Sequence, residues 1–584
     1  MATRSSGGEF AVTEVINGDV FENRSHKKEY SSLYQNGYTK PRDTNSVSKQ
    51  KKYLNGHTLT SSSDEEYLNF KDKYLNGTNT NLLKKEKVLK ESFEKPWFVT
   101  TLLCFLSFYV LMFLGYLSQA LFPPKLFKER NREGYPRLYD KFSSFYSTYV
   151  YRRVRDCWNY PICSVPGAEV VLKDRVTKDH GWTFEFTGLE RKCVNLGSYN
   201  YLGFADPKGP CTEFAIECAH KYGLSTGATR QKYGTNELHV ELEKLTAEFL
   251  KVEDAITFGM GFATNSLNIP ALISSGCLVI SDERNHASII LGLRLSGVTV
   301  KVFRHNDLND LEKTLKTQTY YGQPDQPDGE YKPWRKIFIF VEGIYSMEGS
   351  IVRLPEIIAL KKKYKAYLYL DEAHSIGAIG KTGRGVVDYF GCNPKDVDIL
   401  MGTYTKSFAS AGGYIAGSKK LISFLREHSY GSKYAFAMAP PVAAQIIGVL
   451  KVLMGKDGTN SGQTRIDTLA RNTQYFRRRL AQIGVITYGS EDSPVVPILV
   501  YLYSKIAMCV RTLIENNIAT VGVGYPATPL LQARIRICLS AGHTKDHLDY
   551  ALEMLEKVAD EIGLKHSRLP RDGNPIEYEK IEVN

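Results

Sequence analysis

From about residue 190 onward, short β-branched or aromatic runs alternate with helical stretches, which restricts the chain to an α/β fold on a mostly parallel sheet. The pattern predicts strands over 255–258, 277–281, 298–303, 337–341, 366–370 and 397–401. It predicts helices over Glu237–Leu250, where Leu238, Leu242, Leu245 and Phe249 recur at helical spacing, and over Leu354–Tyr364. Residues 323–332 read as a surface loop. Beyond about 445, helices over 466–483, 505–516 and 545–561 with the apolar run 495–501 indicate a smaller α+β domain.

Two segments stand outside this pattern. Residues 1–90 are rich in Ser, Asn, Lys, Glu and Tyr, with Lys-Tyr-Leu-Asn-Gly at 52–56 and again at 73–77. Such a segment buries too little apolar surface to offset its chain entropy, and is expected to be disordered. Residues 97–122 are the opposite: 20 of 26 are apolar or aromatic and none is charged. As a helix they reach about 39 Å, enough to cross a bilayer. Lysines at 84, 85, 87, 90 and 95 precede the segment, and Lys125, Lys128, Arg130 and Arg132 follow it. Charge on both sides leaves orientation open, and a helix lying in the membrane interface is the alternative to a span.

Composition narrows the class. With 584 residues, 43% hydrophobic and 24% charged, the chain has a globular core. A mean hydropathy of −0.28 excludes a channel or transporter. The net charge of +12 fits an anionic membrane surface or a polyanionic cofactor. Nucleic acid is not expected, since no run of five Lys/Arg and no zinc-finger or RNP pattern occurs. The ten cysteines form no CxxC pair and read as reduced thiols in a cytosol-facing domain. Residues 1–20 contain no apolar signal core.

In an α/β sheet, ligands collect beyond the carboxyl ends of the strands. Polar clusters occupy those predicted ends: Gly259-Met-Gly261-Phe262, Asn285-His286-Ala-Ser288, Glu342-Gly-Ile-Tyr-Ser346, Asp371-Glu-Ala-His374-Ser and Thr403-Tyr-Thr-Lys406-Ser. A lysine there forms a Schiff base with an aldehyde cofactor. A fixed carboxylate such as Asp371 keeps a pyridine nitrogen protonated, so the ring serves as an electron sink. Backbone N–H groups at a helix start receive a phosphate, which the 259–262 stretch offers. His286 supplies aromatic contact over the ring. Together these requirements describe pyridoxal 5'-phosphate (PLP) chemistry. Taken singly, Asp371 is an ordinary helix cap, Lys406 a solvated charge, and Gly412-Gly413 and Gly383-x-Gly385 are turns.

From about residue 160 to 565 the chain resembles the α-oxoamine synthases, fold-type I PLP enzymes that condense an amino acid with an acyl-CoA and release CO2. The resemblance rests on Asp-Glu-Ala-His-Ser-x-Gly at 371–377, Thr-x-Thr-Lys-Ser-Phe at 403–408 and Asn-His-Ala-Ser at 285–288. The stretches 195–204, 341–350 and 525–529 support it. It implies Lys406 as Schiff-base lysine and Cα base, Asp371 as pyridinium partner, His374 as donor to the ring 3-oxygen and His286 as the stacking histidine. It further implies phosphate contacts from Thr403 and the Gly261–Phe262 backbone, Ser346 near the ring, and Arg536 on the substrate carboxylate. L-serine and palmitoyl-CoA are the implied substrates and 3-ketodihydrosphingosine the product; a glycine-using member and a catalytically dead scaffold are the competing readings. A type 1 non-catalytic subunit, small activating membrane subunits and Orm-type regulators are the implied partners. The implied location is the endoplasmic reticulum membrane, with the catalytic domain in the cytosol. The resulting layout is a disordered region over 1–95, a membrane helix over 97–122, and a linker and arm over 123–190. A PLP-binding domain over 191–440, a small domain over 441–566 and a polar tail over 567–584 complete it.

Overall fold

The computed structural model describes residues 89–121, 134–136, 141–179, 181–324, 331–525 and 527–581. Residues 1–88, Phe122 and most of the expected 323–332 loop lie outside the described residues. Strands β1 (Glu91–Ser92), β2 (Glu169–Val176) and β3 (Glu185–Asn195) precede the central sheet. That sheet holds β4 (Asp254–Phe258), β5 (Leu278–Asp282), β6 (Thr299–Phe303), β7 (Ile337–Glu342), β8 (Tyr367–Asp371), β9 (Ile399–Thr403) and β10 (Gly413–Gly417). Their order across the sheet is β4-β10-β9-β8-β7-β5-β6.

Pairing is parallel from β6 through β9, whereas β10 runs antiparallel to both of its neighbours, β9 and β4. The six strands expected from the sequence lie within two residues of their predicted bounds. The seventh, β10, replaces half of an expected turn. Gly412, at φ +94°, does reverse the chain, but Gly413 opens a strand. Buried glycines there leave room for neighbours: a Cβ on Gly413 would meet Thr264 Oγ1 at 2.6 Å.

Successive strand side chains point to opposite faces, so each strand feeds two cores. Ile256, Val279, Phe340, Tyr369 and Met401 pack in one, with Phe340 and Tyr369 stacked at 4.4 Å. Leu278, Ile280, Ile339, Val341, Leu368 and Leu370 enter the other. The Glu237–Leu250 helix starts where predicted because Asn236 and His239 form a reciprocal capping box.

After the sheet come β11 (Gly489–Ser490), β12 (Val495–Leu499), β13 (Ile518–Ala519), β14 (Val521–Val523) and β15 (Arg534–Cys538). A small sheet of order β12-β15-β14 is flanked by the helices Ser461–Ile483, Tyr503–Glu515 and Lys545–Ile562. Another sheet, β13-β3-β2, ties residues 169–195 to this C-terminal region.

The apolar N-terminal segment is a helix, Phe98–Leu121, whose length and composition suffice to cross a membrane. Only Cys104, Met112 and Gly115 are buried, and they recur on one stripe. That stripe lies against the protein: Cys104 Sγ donates to the Tyr501 carbonyl at 3.2 Å, and Tyr116 stacks on Phe145 at 4.0 Å. The rest of the surface, including Phe98, Leu102, Leu106, Tyr109 and Phe113, is exposed. Both flanks are fastened to the same body. Before the helix, β1 pairs with β11 and Phe93 packs on Tyr488 at 5.2 Å. After it, Tyr146 OH donates to the Tyr525 carbonyl at 2.7 Å.

Candidate active site

The expected polar clusters do emerge at strand ends. Asp371 closes β8, Thr403 closes β9, and Lys406 follows on the turn into β10. His286 caps the helix Ala287–Ser296, its Nδ1 accepting the Ser288 N–H at 3.3 Å. Gly261 starts the short helix Gly261–Ser266 after β4.

Asp371 is buried, and both of its oxygens accept N–H groups. Asn265 Nδ2 donates to Oδ2 at 2.8 Å and the Ala373 N–H to Oδ1 at 2.9 Å. Asn265 is fixed in turn by Tyr369, whose OH donates to its carbonyl oxygen at 2.7 Å. Its amide also reaches Ser288 Oγ at 3.0 Å, and Ser288 Oγ lies 2.7 Å from His286 Nδ1. One hydrogen-bond chain therefore joins the carboxylate to the expected stacking histidine.

His374 is buried with its Nδ1 2.8 Å from Tyr201 OH. Burial lowers the imidazole well below its usual range and raises the phenol, so the ring is neutral and the phenol keeps its proton. Tyr201 then donates to Nδ1, which leaves the His374 proton on Nε2 as a donor. Glu372, the next acid of the motif, turns away from this cluster. Its carboxylate accepts from Ser375 Oγ and the Val386 N–H and holds the Gly385 turn.

Lys406 is half-buried; burial lowers its amine to about 8, against the opposing pull of Asp371. Tyr199 is the hub around it: Lys406 Nζ lies 5.8 Å from its ring centre, the Arg536 guanidinium 4.6 Å and the His374 ring 5.1 Å. Arg536 is buried on β15, and its Nε has no hydrogen-bond partner among the described residues.

At the other edge, a Cβ on Gly261 would meet Thr403 Oγ1 at 2.6 Å and the Gly412 carbonyl at 3.3 Å. Glycine keeps that backbone close to Thr403. Phe262 packs edge-on to His286 at 5.9 Å. Ser346 is half-buried on the loop after β7. Eight of the nine sequence-predicted residues are thus tied by these contacts; Ser346 is not joined to the rest by a hydrogen bond among the described residues.

Residues 191–555 match the family model for aminotransferase class I and II. The chain is 48% identical to human serine palmitoyltransferase 3, over 85% of this chain and 90% of that protein. It is 49% identical to serine palmitoyltransferase 3 of Caenorhabditis elegans, over 82% of this chain and 94% of the relative. The chain belongs to the serine palmitoyltransferase family. A solved high-resolution SPT structure with PLP superposes at TM-score 0.63 and 25% identity, covering 73% of this chain and all of that one.

As a serine palmitoyltransferase the chain is a PLP-dependent acyltransferase of fold type I, and its residues fit the cofactor. The site offers a glycine cradle that a Cβ would fill, a buried carboxylate with no ion pair among the described residues and an orphaned guanidinium Nε. Four contributors escaped the sequence reading: Tyr199, Tyr201, Asn265 and Glu342. Tyr199, Tyr201 and Glu342 lie in stretches quoted above for other reasons and Asn265 three residues beyond one, and nothing local distinguishes them from core tyrosines or capping polar groups.

Proposed function

We propose that this chain is the catalytic subunit of a serine palmitoyltransferase. It joins L-serine to palmitoyl-CoA and releases 3-ketodihydrosphingosine, CoA and CO2, the first step of long-chain-base synthesis. The convergence of Lys406, His374 and Arg536 on Tyr199 carries this reading.

Bound PLP supplies an electron sink for negative charge at the serine Cα. Lys406 and the carboxylate of Asp371 would hold it, with His374 Nε2–H, His286, Ser346, Thr403 and the Gly261–Phe262 backbone around the ring and phosphate. The protein's own work is proton handling and placement. Lys406, near 8, has a neutral fraction at cytosolic pH that takes the Cα proton. Arg536 pairs with the serine carboxylate, which supplies the acceptor that the buried Arg536 Nε lacks. The Cα then bonds to the thioester carbonyl carbon, CoA leaves as thiolate, the carboxylate departs as CO2, and a proton returns to Cα.

The partner reading has its own support. The Phe436 carbonyl lies near Gly259 and Phe436 pairs with Thr229, and Phe436, Tyr434, Phe262, Met260 and Tyr233 are all exposed. Exposed apolar residues around a site mark an interface. The proposed occupant is the type 1 non-catalytic subunit; small activating subunits and Orm-type regulators follow from family resemblance alone.

The chain associates with membranes, and the proposed geometry is a helix lying in the cytosolic leaflet of the endoplasmic reticulum. Flanks fastened to one body and a stripe docked along its length support an in-plane helix over a span. The decisive assay is CoA release from palmitoyl-CoA by the chain purified with its type 1 partner, with serine, alanine or glycine and with Lys406→Ala as control. Serine-dependent release that the substitution abolishes supports the reading; none despite bound PLP refutes it. Glycans on the sequons Asn23-Arg-Ser or Asn76-Gly-Thr would place the N-terminal region in the lumen and refute the in-plane helix.

A further inference from the structure

Glu342 has no part in the chemistry above, yet it lies inside the site. It ends β7 in register opposite Asp371 at the end of β8, so two carboxyl groups sit side by side. Both are buried, at 4% and 3% exposure, and no cation forms an ion pair with either among the described residues. One Glu342 oxygen accepts the main-chain N–H of His286. The strand end is locked around it: Glu342 N–H donates to Tyr345 OH at 3.3 Å and Gly343 N–H to the Asp371 carbonyl at 2.8 Å.

Two adjacent buried carboxyls that share one nearby cation, Lys406, do not both ionise. Asp371 receives two N–H donors and Glu342 one, so the charge stays on Asp371 and the proton on Glu342. Burial and the neighbouring Asp371 charge push the Glu342 carboxyl well above its usual range, in agreement. An ionised Glu342 would add to the pull of Asp371 that favours the Lys406 ammonium. An uncharged one does not, and still binds the His286 backbone.

We infer that Glu342 is a positioning residue for the acyl transfer: an uncharged acid that fixes the main chain of His286, and thereby the imidazole plane over the cofactor ring. The inference rests on the PLP reading above. Asp371 then serves the cofactor nitrogen while Glu342 holds the main chain of His286, with the roles separated by donor count.

The test compares Glu342→Gln with Glu342→Ala in the purified holoenzyme, reading visible circular dichroism of bound PLP, its absorbance against pH, and steady-state rates. Loss of the acceptor in Glu342→Ala leaves a buried N–H unmet, so kcat should fall about 10- to 100-fold and the dichroism should weaken, with serine KM held within about threefold. Glu342→Gln keeps an acceptor and no charge. It should recover most of the dichroism and leave the pH midpoint of the PLP absorbance in place, with a smaller fall in kcat. A midpoint shifted by about a unit or more in Glu342→Gln would show an ionised Glu342 and overturn the inference, since one pKa unit reports a changed charge interaction. Unaltered dichroism in Glu342→Ala would overturn the positioning role. Should Glu342→Ala not fold, the Glu342→Gln midpoint decides alone. Absence of PLP or of serine-dependent CoA release from the unsubstituted enzyme would instead refute the functional reading.

Discussion

Asn265 donates its amide to Asp371 Oδ2 at 2.8 Å, although the two residues are 106 positions apart. The amide is oriented by Tyr369 OH on its carbonyl oxygen, so Asn265 has a single rotamer that serves the carboxylate. A fixed carboxylate beneath a pyridinium is worth more than a mobile one, because no reorganisation is needed when charge develops.

Asn265→Ala should therefore weaken PLP binding. Losing a hydrogen bond to a charged buried group costs about 1.5–3 kcal/mol, which is roughly a 10- to 150-fold rise in Kd. Titration of the apoprotein with PLP, followed by absorbance, measures it. An unchanged Kd would mean that the Ala373 N–H alone holds Asp371.

Lys406 predicts a pH dependence. Burial disfavours the ammonium, lowering the amine from the ordinary lysine range to about 8. Only the neutral amine adds to an aldehyde, so PLP uptake by the apoprotein should speed by about tenfold per pH unit up to the pKa and level off above it. Stopped-flow absorbance across that range gives the midpoint; a midpoint near 10 would mean that the amine is hydrated like a surface lysine.

Arg536→Lys should act on serine. A guanidinium can pair with a carboxylate through two bonds, an ammonium as a point charge. The expected result is a KM for serine raised about 10- to 100-fold, with the KM for palmitoyl-CoA within about threefold. Equal effects on both substrates would place the carboxylate elsewhere.

Gly115→Leu tests the docked face of the N-terminal helix. A Cβ there already approaches Phe145 Cζ to 2.8 Å and Tyr149 Cβ to 3.2 Å, so a leucine forces the helix off the body. Stability should fall by about 1–3 kcal/mol in denaturant titrations. Membrane sedimentation should be retained, because the exposed side of the helix is untouched.

The helix shows where sequence reading stops. Its existence follows from 20 apolar or aromatic residues in 26, and its observed bounds differ from the expected ones by one residue at each end. Length and hydropathy are identical for a spanning and an in-plane helix. The proposed in-plane geometry rests instead on the anchorage of β1 on β11 and of Tyr146 on Tyr525, contacts between positions hundreds of residues apart.

The same division runs through the site. Lys406, Asp371, His374 and His286 were legible because chemistry in an α/β fold gathers at the ends of parallel strands, and strand ends are marked locally by apolar runs breaking into polar ones. Strand order is not marked locally. It places β7 beside β8, bringing Glu342 against Asp371, and lets Tyr199 from the N-terminal side meet Arg536 on β15. Periodicity and motif thus determined the α/β class and the cofactor, and marked the groups proposed to be catalytic. Burial and long-range packing alone decided which carboxyl keeps its proton, how the tyrosines and Asn265 orient those groups, and how the helix meets the protein, because desolvation and side-chain contact exist only once distant segments are together.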